Sequence, residues 1–161
     1  MSVMNRTKGL GLVEVVVAAA IVTLIVTSLI AAFLVYFRTG LEVVARVQAT
    51  FLAEEGVEAV KFLRDKGWTT SIAPLSLNTP YYLATTSTLW EATTTSSLEL
   101  GKFSRKLQFY SVNRDTNGAI VSSGGTTDNN TRKVFVEVTW QTASGSSTRS
   151  IPTYITNLFN D

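Results

Sequence analysis

Hydrophobic and polar positions divide this chain into three regimes. From Val15 to Phe37 there are 23 consecutive residues without a charge, a Pro or a Gly. As an α-helix such a run is roughly 34 Å long, enough to cross the hydrocarbon core of a bilayer. Arg38 ends it. Beyond Arg38 apolar residues recur at helical spacing. Leu41, Val44, Val47, Phe51, Leu52, Val60 and Leu63 are expected near one face, and Glu42, Arg46, Glu54, Glu58, Lys61 and Asp65 away from it. The spacing is imperfect around Gly56. Gly40 is the expected soft point and Gly67 the expected stop. A single helix from about Leu10 to Asp65 would be roughly 84 Å long.

From about Lys102 the period becomes two. Phe103, Leu107 and Phe109 share one strand face, and Asn117-Gly118 suits a tight hairpin turn. Residues 119–122 are expected to form a short return strand and 124–130 a loop. Val134, Val136, Val138 and Trp140 then alternate with Phe135, Glu137, Thr139 and Gln141, a strong strand signal. After a turn at 143–147, residues 148–155 are expected to pair back, with Pro152 marking an edge strand or a strand end. The Ser/Thr-rich stretch 68–101 is read as a connecting loop, with Tyr81, Tyr82 and Trp90 anchoring it to the domain as satellite core. The expected fold class is α+β: a long N-terminal helix, membrane half plus amphipathic half, packed on a small antiparallel sheet of three or four strands.

Composition narrows the chemistry. The chain has 161 residues, 45% of them hydrophobic, with a mean hydropathy of +0.21. It has no His and no Cys. Disulfides, the usual zinc sites and His-based acid–base catalysis are therefore excluded. The pI near 9.0 invites a nucleic-acid reading. Residues 1–9, however, carry Arg6 and Lys8 and no acid, which leaves 12 basic and 12 acidic residues in the remainder. The basicity belongs to the leader, and no nucleic-acid partner is evident. A cleavable secretory signal fits poorly, because the apolar run continues on both sides of Ala18-Ala19-Ala20. A lasting membrane helix fits better, with Arg6 and Lys8 favouring an N-in, C-out orientation.

Glu14 stands out at the start of this run, since a carboxylate near apolar lipid needs a partner or an edge position. The stretch Lys8-Gly9-Leu10-Gly11-Leu12-Val13-Glu14 resembles the processing site of type IV prepilins and type II secretion pseudopilins. In that family a short basic leader ends in Gly, a prepilin peptidase cuts after it, and the new N-terminus is methylated. Glu is the fifth residue of the mature chain, ahead of an apolar helix. Cutting after Gly9 makes Leu10 first and Glu14 fifth; cutting after Gly11 would make Glu14 third, so the register selects Gly9. Leu10 stands where Phe is commoner and Gly11 where Thr or Ser is commoner. Residues 23–32 lack the Pro found midway along the helix of many major pilins, which favours a minor pilin or pseudopilin.

The resemblance implies a pilin-like layout: leader 1–9, membrane and filament-core helix 10–38, amphipathic helix half 39–67, connecting loop 68–101 and antiparallel sheet 102–161. It implies processing at Gly9 and Leu10, leader charge from Arg6 and Lys8, and an assembly role for Glu14 through the N-terminal amine of a neighbouring subunit. The implied partners are prepilin peptidase, other pilin subunits, an inner-membrane assembly platform and the lipid bilayer. The implied location is the cytoplasmic membrane, then a cell-surface or periplasmic filament. No catalytic residues, cofactor or metal are expected. Glu54-Glu55 point about 100° apart on a helix and read as a solvated face. Asp115, Asn117, Asp128, Asn129 and Asn130 lack calcium-ligand spacing and read as turn residues. Asn129-Asn130-Thr131 matches the short glycosylation acceptor pattern. The alternative reading is a single-pass, membrane-anchored extracytoplasmic binding domain.

Overall fold

The computed structural model describes residues 8–86, 89–96, 99, 101–143 and 145–159. The chain divides into two compact units, Met1–Val44 and Ala45–Asp161. One helix, α1 (Lys8–Lys66), contributes to both. It continues through Gly40, where a soft point was expected, and ends where Gly67 takes φ 146°, a backbone region open to glycine.

In the first unit the described apolar side chains of α1 stay exposed. Leu12, Val17, Ile21, Val26, Ile30, Phe33 and Phe37 are all exposed, although they lie on different faces. This is the one described helix long and apolar enough to cross a membrane, by length and composition. Its Thr and Ser hydroxyls are satisfied by the helix's own carbonyls. Thr23 Oγ1 donates to the Ala19 carbonyl at 2.7 Å, Thr27 Oγ1 to Thr23 at 2.9 Å and Ser28 Oγ to Leu24 at 2.7 Å. Such back-bonding suits surroundings that offer no water.

The second unit is α+β. After a π-type turn (Trp68–Ile72) come β1 (Pro80–Thr86), β2 (Leu89–Thr93), β3 (Phe103–Arg114), β4 (Ile120–Val121), β5 (Thr126–Thr142) and β6 (Gly145–Thr156). They form one antiparallel sheet in the order β2-β1-β3-β5-β6, with β4 paired to the end of β3. Alternation explains the long central strands. Phe103, Leu107 and Phe109 of β3 and Val134, Val136, Val138 and Trp140 of β5 turn inward and are buried.

The core joins this inner face to one stripe of α1: Ala49, Ala53, Ala59, Val60 and Leu63, with Gly56 among them. The expected helix face is corrected here. Val60 and Leu63 are buried and Leu52 half-buried, but Val47 and Phe51 are exposed, as are Leu41 and Val44 in the first unit. Small side chains let the helix approach the sheet, and the bulk comes from the strands. An ideal Cβ on Gly56 would lie 2.6 Å from Val136 Cγ1.

Three further expectations change. The stretch 68–101 is not all connecting loop, since it carries the π-type turn and the β1–β2 hairpin. Trp68, Ile72, Tyr81 and Leu83 enter the core directly, and Trp90 packs at its edge. Residues 124–130 are mostly strand, the start of β5. Among the described residues the sheet has six strands, not three or four. Thr, a β-branched residue, favours the pleated strand in the β1–β2 segment. Asn117-Gly118 lies in a tight turn, and Pro152 lies on the edge strand β6.

Candidate processing and assembly site

Among the sequence-selected residues, Arg6 lies outside the described ones. The backbones of Lys8, Gly9 and Leu10 form the first turn of α1, which contains no acid. Glu14 follows one turn after Leu10, so the two positions share a helix face. Its side chain is exposed, among the exposed Leu12, Val13, Val15, Val16 and Val17. Among the described residues it has no ion-pair partner within its own chain. A carboxylate on an apolar surface can bind a cation brought by another molecule, and desolvation of that surface would strengthen the contact.

The calcium candidates are engaged in local structure. Asp115 accepts the amides of Asn117 at 2.9 Å and Ala119 at 2.8 Å, shaping the β3–β4 turn. Asp128 accepts the Asn130 amide at 2.8 Å. No metal-holding group of acids occurs among the described residues. Asn129 is exposed, whereas Thr131 of the same acceptor pattern is buried.

Two polar clusters went unread in the sequence. Arg105 occupies an inward position between Phe103 and Leu107 and is only 2% exposed. Its Nη1 donates to the Leu52 carbonyl at 2.9 Å and lies 3.3 Å from Glu55 Oε2, while Nε donates to Glu99 Oε1 at 2.9 Å. The guanidinium also covers the Trp90 ring at 5.2 Å. Arg105 thus ties the helix, β2 and the segment before β3 together. Glu54 and Glu55 are both exposed, as a solvated face requires, and Glu55 additionally pairs with Arg105. Burial pushes the Glu99 carboxyl above the usual range; Arg105 opposes this and Glu55 adds to it. The available signal was one charged residue at an inward strand position.

The second cluster sits where pairing of β3 with β5 shifts register between Ser111 and Val112. Arg114 Nε donates to Asp128 Oδ2 at 2.7 Å and Nη2 to Thr131 Oγ1 at 3.1 Å; the Thr131 hydroxyl donates to Asp128 Oδ2 at 2.6 Å. Arg114, and then Thr131, hold the Asp128 carboxyl below its usual range. Both clusters stabilise the domain, and neither juxtaposes a nucleophile with a base. No family model, curated protein or solved structure matches the chain.

Proposed function

We propose that this chain is a prepilin-type structural subunit, processed by a prepilin peptidase and assembled into a type IV pilus or secretion pseudopilus through its N-terminal helix. One observation carries the reading. The stretch of helix from Leu12 to Phe37, which exposes apolar side chains on all sides, bears a single acid, Glu14, at the fifth position after Gly9. The absence of Pro from 23–32 favours a minor pilin or pseudopilin.

The proposed mechanism follows from the residues. Arg6 and Lys8 hold the N-terminus at the cytoplasmic face, where hydrolysis of the Gly9–Leu10 peptide bond frees an α-amine on Leu10. The amine is then methylated. Transfer of the helix from lipid to a bundle of like helices gains little hydrophobic free energy, because lipid tails are as apolar as Leu. Register then depends on polar contacts, and Glu14 meeting a neighbour's amine supplies one in a poorly screened setting. The second unit, on the outer side of the membrane, is displayed by the filament.

Intact mass and N-terminal sequencing of the chain, expressed with and without a prepilin peptidase, test this. Loss of residues 1–9 with an N-methylated Leu10 is expected. An intact Met1 start beside an active peptidase would refute it.

A further inference from the structure

The face of the sheet turned away from α1 carries an aromatic patch beside a groove. In register, Lys133 of β5 lies between Tyr110 of β3 and Tyr154 of β6. Its ammonium sits 4.9 Å from the Phe135 ring centroid and 5.8 Å from that of Tyr154. Tyr110 meets Phe135 edge-on at 5.4 Å. The short strand β4, paired to the end of β3, helps to wall a groove of about 540 Å³, lined by Ser111, Asn113, Ser122, Lys133 and Tyr154 among others.

The groove's chemistry is specific. Tyr154 is 47% exposed and presents an aryl surface. Ser111 and Ser122 are exposed and bring two hydroxyls to the lining of the same groove. Among the described residues no carboxylate lies within ion-pair distance of Lys133, whereas Lys106, on the same sheet face, is paired with Glu137 at 2.6 Å. The two rings hold the ammonium in place, so little side-chain freedom remains to be lost when it meets an anion.

We propose that this groove binds an acidic saccharide. A sugar ring stacks on Tyr154, its hydroxyls meet Ser111 and Ser122, and its carboxylate meets Lys133, while Asn113 is held by Gly124 and Thr127 and shapes the wall. Charge count separates this occupant from single-stranded nucleic acid, which also stacks on aromatic rings but is tracked by a row of cations. Lys133 is the one cation among the groove-lining residues. The inference lies wholly within the second unit and does not depend on filament assembly.

The test is calorimetric titration of the full-length chain in detergent micelles at physiological salt. The probes are uronic-acid tetrasaccharides (tetragalacturonate and a hyaluronan tetrasaccharide), neutral cellotetraose and octathymidylate. Saturable binding of at least one uronate over cellotetraose is expected. It should weaken at least about tenfold in Lys133→Met, which removes one charge-assisted hydrogen bond, and fall similarly in Tyr154→Ala. Near-UV circular dichroism confirms that each variant folds. Absence of binding by either uronate, affinity for cellotetraose equal to theirs, uronate binding that survives Lys133→Met in a folded protein, or preference for octathymidylate would each overturn the proposal.

Discussion

Gly56→Ala isolates the close approach of helix to sheet. The added Cβ would lie 2.6 Å from Val136 Cγ1 and 3.0 Å from Arg105 Cδ. Val136 is fully buried on β5, between β3 and β6, and has no room to retreat. Ordinary contact begins at 3.4 Å, so the helix must back away. That movement also stretches the 2.9 Å bond from Arg105 to the Leu52 carbonyl. Overpacking of this kind costs about 1–3 kcal/mol. The greater helix propensity of Ala over Gly returns about 0.8–1 kcal/mol. The net loss is centred on about 1 kcal/mol, a fall in Tm of about 4 °C for a unit of this size. Gly40→Ala is the control, since nothing lies within 4 Å of its Cβ position and only the propensity gain remains. Near-UV circular dichroism melts of full-length protein in detergent, reporting on the tryptophans, provide the assay. A Gly56→Ala protein melting at or above wild type would show that the helix does not depend on this approach.

Arg105→Met should cost about 3 kcal/mol by chemical denaturation, because Glu99 and the Leu52 carbonyl lose a shared buried donor; adding Glu99→Gln should recover part of that loss, and a strictly additive double mutant would argue against the cluster. The raised Glu99 pKa means that the folded state binds its proton more tightly, so its contribution to stability declines as pH rises from 4.5 through the folded value. Glu99→Gln should remove that decline from a pH-stability profile. Asp128 has the opposite sign: its depressed pKa stabilises above 3.8, and the benefit is lost as pH falls through the folded value. Asp128→Asn should therefore cost about 1–2 kcal/mol at neutral pH and progressively less in acid, as read by denaturant midpoints. Glu14→Leu should leave cleavage after Gly9 intact by mass spectrometry yet impair incorporation into sheared filaments; normal incorporation would remove Glu14 from the assembly mechanism.

Legibility in the sequence followed the size and charge of side chains. The uncharged run is legible from its unbroken length, and the Val-x-Val-x-Trp strand from burial of one face, which repeats with a period of two. The helix face was misread because large apolar residues were weighted over small ones. Where α1 meets the sheet the space is taken by Ala49, Ala53, Gly56 and Ala59, while Phe51 stays outside. The β1–β2 hairpin was hidden by Ser and Thr, whose composition suggests loops although Thr itself favours strands. Arg105 was invisible for a different reason. A charge between Phe103 and Leu107 looks like a break in the alternation, and only the tertiary arrangement of Glu55, Glu99 and the Leu52 carbonyl makes its burial affordable.

The two parts of α1 meet opposite demands with the same backbone. From Ala45 onward the sequence specifies one orientation, because a stripe of small residues fits one sheet and Gly56 permits one depth. From Leu12 to Phe37 no face is distinguished, since apolar side chains point in every direction and a bilayer or a bundle of like helices accepts any rotation. Polar atoms alone can break that degeneracy. Thr23, Thr27 and Ser28 are spent on carbonyls of their own helix at 2.7–2.9 Å, so their donors carry no information to a neighbour. Apart from the Tyr36 hydroxyl at its far end, Glu14 is the remaining polar group in that run and its one charge, and the carboxylate is satisfied by nothing described in its own chain. In the proposed filament the axial position of each subunit therefore rests on one residue, placed by cleavage at Gly9 one helical turn from the amine that cleavage creates.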